Sequence, residues 1–258
     1  MSGHAHRCRA FILRTADYGE SDRVITLIGE DLGKVAAIAR GARNSRRRFG
    51  GSLEPFALLE VSLARGRGRL PRLAESSLLR AHSGLALSLT RIGAAGYVLE
   101  LVRETLPENQ PEPRVFALIE GLLPLIAEAD ERPAASLAFA AAQHVLALAG
   151  LRMSVNRCNA CGTPVPAGRK VFFDPRRGGV VCTPCGGGPI VVSARAVDVL
   201  VGFERASLEE IAGSEPAKES LLAEIGHLLG VFLEQQLERP LKSSSFLQQI
   251  KSVPYVRE

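Results

Sequence analysis

The chain reads as an α+β protein: a small closed β-barrel, then helices, with a four-cysteine ribbon inserted among the helices. Three observations predict this. Short apolar runs broken by turn residues fill the first eighty positions, where helical periodicity is absent. From about residue 85 the apolar spacing becomes helical. Four of the five cysteines then fall into two Cys-x-x-Cys pairs, Cys158/Cys161 and Cys182/Cys185, with twenty residues between the pairs.

The strands come first. Arg9–Thr15, Asp22–Ile28 and Lys34–Arg40 are three candidates, the last two joined by a turn at Gly29–Gly33. Phe56–Leu63 and Leu70–Leu79 supply a fourth and a fifth. Five strands in so short a segment suit an OB-fold barrel, whose usual work is to bind single-stranded nucleic acid along one groove. Helices are expected from Leu85 to Leu106, closed by Pro107, from Pro113 through Leu123, and from Pro133 to Leu148, ended by Gly150. Beyond the cysteines, Ser193 suits the N-cap of a helix through Val197, Leu200 and Phe203, and a last helix runs from about Pro216 to Leu237. The resulting organisation is a barrel domain at 1–80, a helical domain at 81–156 and 188–245 around an insert at 157–187, and a tail at 246–258.

Two knuckles a hairpin apart can offer a metal four sulfurs at about 2.3 Å. Val171-Phe172-Phe173 and Val180-Val181, joined by the turn Asp174–Gly179, form that hairpin. With Cys158, Cys161, Cys182 and Cys185 all ligating, the shell is full and no position remains for water or substrate, which points to one structural zinc ion. Disulfides or a redox pair are the competing reading; a chain with five cysteines and no secretion signal makes it the weaker one.

Net charge is +5, unevenly distributed. Residues 1–80 hold fifteen Lys/Arg and eight Asp/Glu, and residues 81–258 hold seventeen and nineteen. The positive charge therefore belongs to the barrel, as expected where a domain meets a polyanion. It is concentrated at Arg40, Arg43, Arg46, Arg47 and Arg48, between two strands, and at Arg65, Arg67, Arg69 and Arg72, at the hairpin between the fourth and fifth strands. Lys34 is the one lysine of the segment. These ten are the candidate nucleic-acid-binding residues; a solvated charged loop is the blander reading. Glycines between the arginines would let backbone approach phosphate closely. Stacking aromatics are sparse: Phe11 and Phe56 read as core, while Tyr18 and Phe49 are candidate platforms.

Other signals stay structural. Cys8 reads as a buried thiol, His4 and His6 as parts of a mobile terminus, and His82, His144 and His227 lack metal or triad spacing. Gly186-Gly187-Gly188-Pro189 reads as a linker, since no Lys-Ser/Thr pair follows to make a phosphate loop. The His/Cys-x-Glu partner of a zinc deaminase is absent, as is any nucleophile–base pair, so no enzyme is expected. No apolar run is long enough for a membrane span, and Met1–Arg7 lacks the apolar core of a signal peptide, so a cytoplasmic protein is expected.

The run from Leu13 to Arg23, then Gly33-Lys34-Val35, Arg40-Gly41-Ala42-Arg43, Leu53-Glu54-Pro55-Phe56, the four cysteines and Leu241-Lys242-Ser243 together resemble the RecO family of bacterial recombination mediators. The resemblance implies a non-enzymatic protein of recombinational repair that binds single- and double-stranded DNA and anneals complementary strands. It also implies work with RecR and single-strand-binding protein, RecA loading as the indirect outcome, association with the nucleoid, and zinc as scaffolding. Glu54 stands where the family pattern suggests Gln, and reads as a salt-bridge partner for the basic loop. An RNA-binding or protein-docking adaptor is the alternative.

Overall fold

The computed structural model describes residues 5–49, 53–66, 68–166 and 168–243. The expected tail lies outside these residues. Two compact units are present, one built from residues up to Ser83 with Val102–Leu123, the other from Gly84–Leu101 with Pro124 onward.

The first unit is a closed barrel of β1 (His6–Tyr18), β2 (Asp22–Gly29), β3 (Gly33–Ala39), β4 (Leu58–Ala64) and β5 (Arg72–Arg80) in the order β1-β2-β3-β5-β4. That order is the OB barrel. Strict alternation in β3 turns Val35, Ala37 and Ala39 inward, where they meet Ile12, Ile25, Leu27, Leu59, Val61 and Leu73. β1 is long enough to pair with β4 through one half and β2 through the other. A bulge between Ile12 and Arg14 bends it around the barrel. β3 and β5 close the barrel in parallel through a single register pair, Ile38 opposite Arg72, beside an Ile38 N–H to Pro71 carbonyl bond of 2.9 Å.

Several expectations need correction here. The stretch read as a pure loop holds a short helix, α1 (Arg46–Phe49), which inserts Phe49 into the barrel core at 1 % exposure. The alanines at 10, 37, 39 and 42 leave room for the ring, so Phe49 is a core plug and is not available for stacking. Phe56 is only half-buried and takes a positive φ of 73°, so β4 begins two residues later than expected. His6 is part of β1, opposite Leu63, and bonds to Asp31 at 3.0 Å; it is no loose end.

Outward-facing Phe11 is buried against Phe116 (centroids 5.3 Å apart) in α3 (Pro113–Glu128). Arg9 lies over the same ring and donates to both oxygens of Glu30 (2.9 and 2.6 Å) and to Glu120 (2.6 Å). His82 donates through Nδ1–H to the Phe56 carbonyl, 2.6 Å away, while its buried Nε2 has no partner among the described residues.

The second unit is helical. It contains most of α2 (Leu89–Thr105), then α4 (Glu131–Leu148), α5 (Ala194–Arg205), α6 (Leu208–Gly213) and α7 (Glu219–Leu237). A 3₁₀ turn at Ser83–Leu87 replaces the expected first turn of α2. α4 buries an unbroken run from Ala134 to Gln143, which a helix can do only when covered on every side. Ser193 caps α5 as expected, accepting from the Ala196 N–H at 3.2 Å. Among the described residues no helix is long and apolar enough to cross a membrane.

Candidate nucleic-acid interface and metal centre

The four cysteines converge. Their sulfurs all lie within 4.8 Å of one another, and Cys161 Sγ stands 3.7 Å from Cys182 Sγ. A tetrahedron with 2.3 Å metal–sulfur bonds has edges of about 3.8 Å, so the quartet is consistent with a zinc site. Each knuckle is closed by a glycine in the left-handed region, Gly162 at φ 74° and Gly186 at φ 99°, which a side chain at those positions would strain. Backbone amides aim at the sulfurs: the Cys182 N–H points at Cys158 Sγ from 3.3 Å. The amides of Cys182 and Cys161 hold the Cys158 thiol well below its ordinary pKa, whereas the sulfurs of Cys182 and Cys161 push Cys185 up. Sulfurs packed this closely resist carrying full negative charge together unless a cation sits among them.

The ribbon around them is a three-stranded sheet, β7 (Gly179–Val181), β6 (Val171–Asp174) and β8 (Ile190–Val192), in that order. β8 was not expected. It pairs Val192 with Val171, so the glycine run after Cys185 is the tight turn leading into this strand and not a linker. The sheet thereby extends past the expected boundary at residue 187. Phe173, fully buried, packs edge-on against Phe232 of α7 and anchors the ribbon (centroids 6.4 Å apart).

The barrel carries the second candidate site, a groove of about 670 Å³ on the outer face of β2 and β3. Val24 and Ile38, direct cross-strand partners on outward positions, form part of its floor with Leu70. Tyr18 stands at one side, 60 % exposed, at the start of the β1–β2 turn. Arg40, Arg65, Arg69 and Arg72 line the rest, and among the described residues no carboxylate lines it. Among the described residues these four guanidinium groups make no ion pair or side-chain hydrogen bond. The β2–β3 face and the loops after β1 and β4 are where OB barrels hold oligonucleotides. Gly66 is required by the hairpin itself: a Cβ there would fall 2.1 Å from the Leu70 carbonyl oxygen.

The other candidates are placed differently. Arg43 flanks the β1–β2 turn, donating to the Glu20 carbonyl at 3.1 Å, with Asp17 at 4.0 Å. Arg48 lies over Phe49, donates to the Arg40 carbonyl at 2.8 Å and borders a separate recess with Arg7, Glu60 and Glu75. The side chains of Arg46 and Arg47, and Arg67 entirely, lie outside the described residues. Lys34 does not join the groove. Its ammonium donates to the Arg103 carbonyl at the end of α2 (2.6 Å), and burial lowers its pKa. Glu54 pairs with Arg23 of β2 at 3.8 Å, not with the basic loop foreseen for it. What the sequence reading missed is the apolar floor; the signal was an apolar residue at the outward parity of both β2 and β3.

An OB barrel with a free-arginine groove, followed by helices that carry a four-cysteine ribbon, defines a nucleic-acid-associated class of protein. Family comparison resolves the class further. The model described as "Recombination protein O N terminal" matches residues 1–82, and "Recombination protein O C terminal" matches residues 86–245. The chain is 41% identical over 247 residues to the DNA repair protein RecO of Anaeromyxobacter sp. (strain Fw109-5), covering 93% of this chain and 94% of that one. It is 38% identical over 241 residues to the DNA repair protein RecO of Myxococcus xanthus (93% and 96% covered). Against that of Geobacter sulfurreducens it is 38% identical over 254 residues (96% and 99%). The chain belongs to the RecO family, and its role is in recombinational DNA repair.

Proposed function

We propose that the groove between Tyr18 and the β4–β5 hairpin holds a DNA strand, and that the protein uses it to mediate recombination without performing covalent chemistry. The single observation that carries this is the groove's composition: four arginines, unpaired among the described residues, around an apolar floor with one exposed tyrosine. Arginine forks bind phosphate, while Tyr18 over Val24 and Ile38 offers one base a face to stack on. Arg43 and Arg48 extend the positive surface, and the sequence adds Arg46, Arg47 and Arg67 to the charge of the same two loops. A single aromatic platform limits sequence preference and leaves most bases free, which suits annealing of a complementary strand and accommodates duplex as well as single strands. Lys34 has no part in this reading, because its ammonium is occupied at the end of α2.

Zinc is the metal we assign to the quartet, held by Cys158, Cys161, Cys182 and Cys185. When bound it supplies cross-linking and no reactive position, so the ribbon's role is to fix β6–β8 against α7. Partnership with RecR, displacement of single-strand-binding protein and assistance to RecA loading complete the proposal, with the protein acting in the cytoplasm at the nucleoid.

The test is fluorescence anisotropy of labelled single-stranded DNA across a salt series, with the complementary strand added last. Expected are binding to all sequences alike, a steep fall with salt and accelerated annealing. Charge reversal at Arg43, Arg46, Arg47 and Arg48 weakens binding and flattens the salt slope; unchanged affinity removes that loop from the interface. Absent DNA binding by the wild-type protein, or stronger binding of RNA, overturns the proposal.

A further inference from the structure

Away from the groove, the start of β1 and the β2–β3 turn bring together three side chains that the DNA-binding reading does not use. His6 and Cys8, two apart on β1, lie on the same side of the strand, fixed by pairing with Leu63 and Val61 of β4. Asp31 projects from the turn between Gly29 and Gly33, whose opposition closes the hairpin. The imidazole nitrogen, the thiol sulfur and a carboxylate oxygen all lie within 4.8 Å of one another, and His6 Nε2 is 3.0 Å from Asp31 Oδ2.

We propose that His6, Cys8 and Asp31 form a second metal site, for a borderline divalent transition ion of the Zn²⁺ or Co²⁺ class, with a remaining position open to solvent.

The donor set decides the class. Zinc takes nitrogen at about 2.0–2.1 Å, sulfur at about 2.3 Å and oxygen at about 2.0–2.2 Å, so its ligands lie about 3.3–3.8 Å apart. Closing the trio onto an ion needs only small side-chain adjustments on a fixed backbone. A thiolate with an imidazole disfavours Mg²⁺ and Ca²⁺, which take oxygen ligands. Electrostatics point the same way. Although residues 1–80 are strongly basic, this corner is acidic: Arg9 answers both Glu30 and Glu120, and Asp31 adds a further carboxylate. Burial first, then the Asp31 and Glu30 carboxylates, push the Cys8 thiol up to about 12, so the trio sits in a field that attracts cations and the thiol yields its proton only to an ion that takes its place. The sulfur is also held close against the hairpin, because a Cβ on Gly29 would come within 3.2 Å of Cys8 Sγ. Binding is balanced by release of the thiol proton to solvent; no redox change occurs. The ion would fasten the beginning of β1 to the β2–β3 turn, independently of the cysteine quartet.

The test is Zn²⁺ stoichiometry of the full chain, by elemental analysis after equilibration and by calorimetric titration, in wild type and in His6→Ala, Asp31→Asn and Cys8→Ser. His6 and Asp31 are exposed, so their variants keep the fold; circular dichroism checks this. The wild type is expected to bind one equivalent more than each variant, with affinity at this site falling more than about 100-fold in each. Co²⁺ titration provides the second readout: a thiolate-to-cobalt charge-transfer band present in wild type should lose intensity in Cys8→Ser. Equal stoichiometry in wild type and all three variants, or a cobalt spectrum unchanged by Cys8→Ser, shows that the trio is an ordinary His–Asp ion pair beside a thiol and overturns the proposal.

Discussion

Arg9, in β1, and Arg40, just beyond β3, belong to the same barrel but have opposite surroundings. Arg9 is enclosed by Glu30, Glu120 and the Phe116 ring, so its charge is answered from within the fold. Arg40 shares a groove with Arg65, Arg69 and Arg72 and, among the described residues, no carboxylate. Four like charges brought together without counter-charge weaken the folded state through mutual repulsion, and such an arrangement makes sense where a polyanion supplies the missing charge. The difference separates arginines that hold the fold from arginines that the proposed function leaves to a ligand, a division that net charge conceals.

The largest expected effect breaks the comparison from the ligand side. Substituting Arg40, Arg65, Arg69 and Arg72 by Glu should lower affinity for single-stranded DNA by at least about 100-fold and reduce the salt slope by about 0.7 for every phosphate no longer neutralised, read by anisotropy titration at several salt concentrations. Thermal stability should hold, since four glutamates repel one another as the arginines do. From the other side, Arg9→Met leaves Glu30 and Glu120 without their donor. A loss of about 1–2 kcal/mol in urea unfolding is expected, with DNA affinity unchanged. If Arg9→Met instead weakens DNA binding while stability stays constant, the division between the two sets is wrong. Tyr18→Ala tests the apolar part of the groove: affinity should fall about tenfold, within the 1–3 kcal/mol typical of one stacked base, and the salt slope should stay as it is.

The smallest effect concerns pH. Burial is the main reason the His82 pKa lies below its ordinary 6.5, with Arg80 adding to it and the Phe56 carbonyl opposing. The unfolded chain therefore takes up a proton at a pH where folded His82 still refuses one. Stability from this group is complete above about pH 6.5 and is lost as pH falls through the lowered folded value. Melting curves from pH 7.5 to 5 should show the decline, and His82→Asn should show less of it.

The cysteine quartet was readable from sequence because each knuckle's geometry is local, with two ligands three positions apart. Strands were readable for a related reason, since inward and outward parity is written into neighbouring residues, as in Val35, Ala37 and Ala39. The groove floor was not. Val24 and Ile38 are fourteen positions apart, and only the β2–β3 register sets them side by side. Lys34 misled because composition records its charge and not the helix end within its reach. Phe49 misled because three arginines precede it, hiding a ring that completes the barrel core. α6 was missed although its signal was present: Ser207 and Glu210 form a reciprocal capping box.

The barrel's closure has a dynamic consequence. Its parallel seam is one residue pair long, Ile38 opposite Arg72, and both residues line the groove. A sheet breathes most readily where its stitching is shortest, so the groove can widen by parting β3 from β5 while the antiparallel ladders stay intact. The amide proton of Ile38, which bonds to the Pro71 carbonyl, is thus a natural gauge of that breathing. If the proposed DNA strand bridges the seam, the rate of exchange with solvent deuterium should slow on binding, following occupancy of the groove without any label.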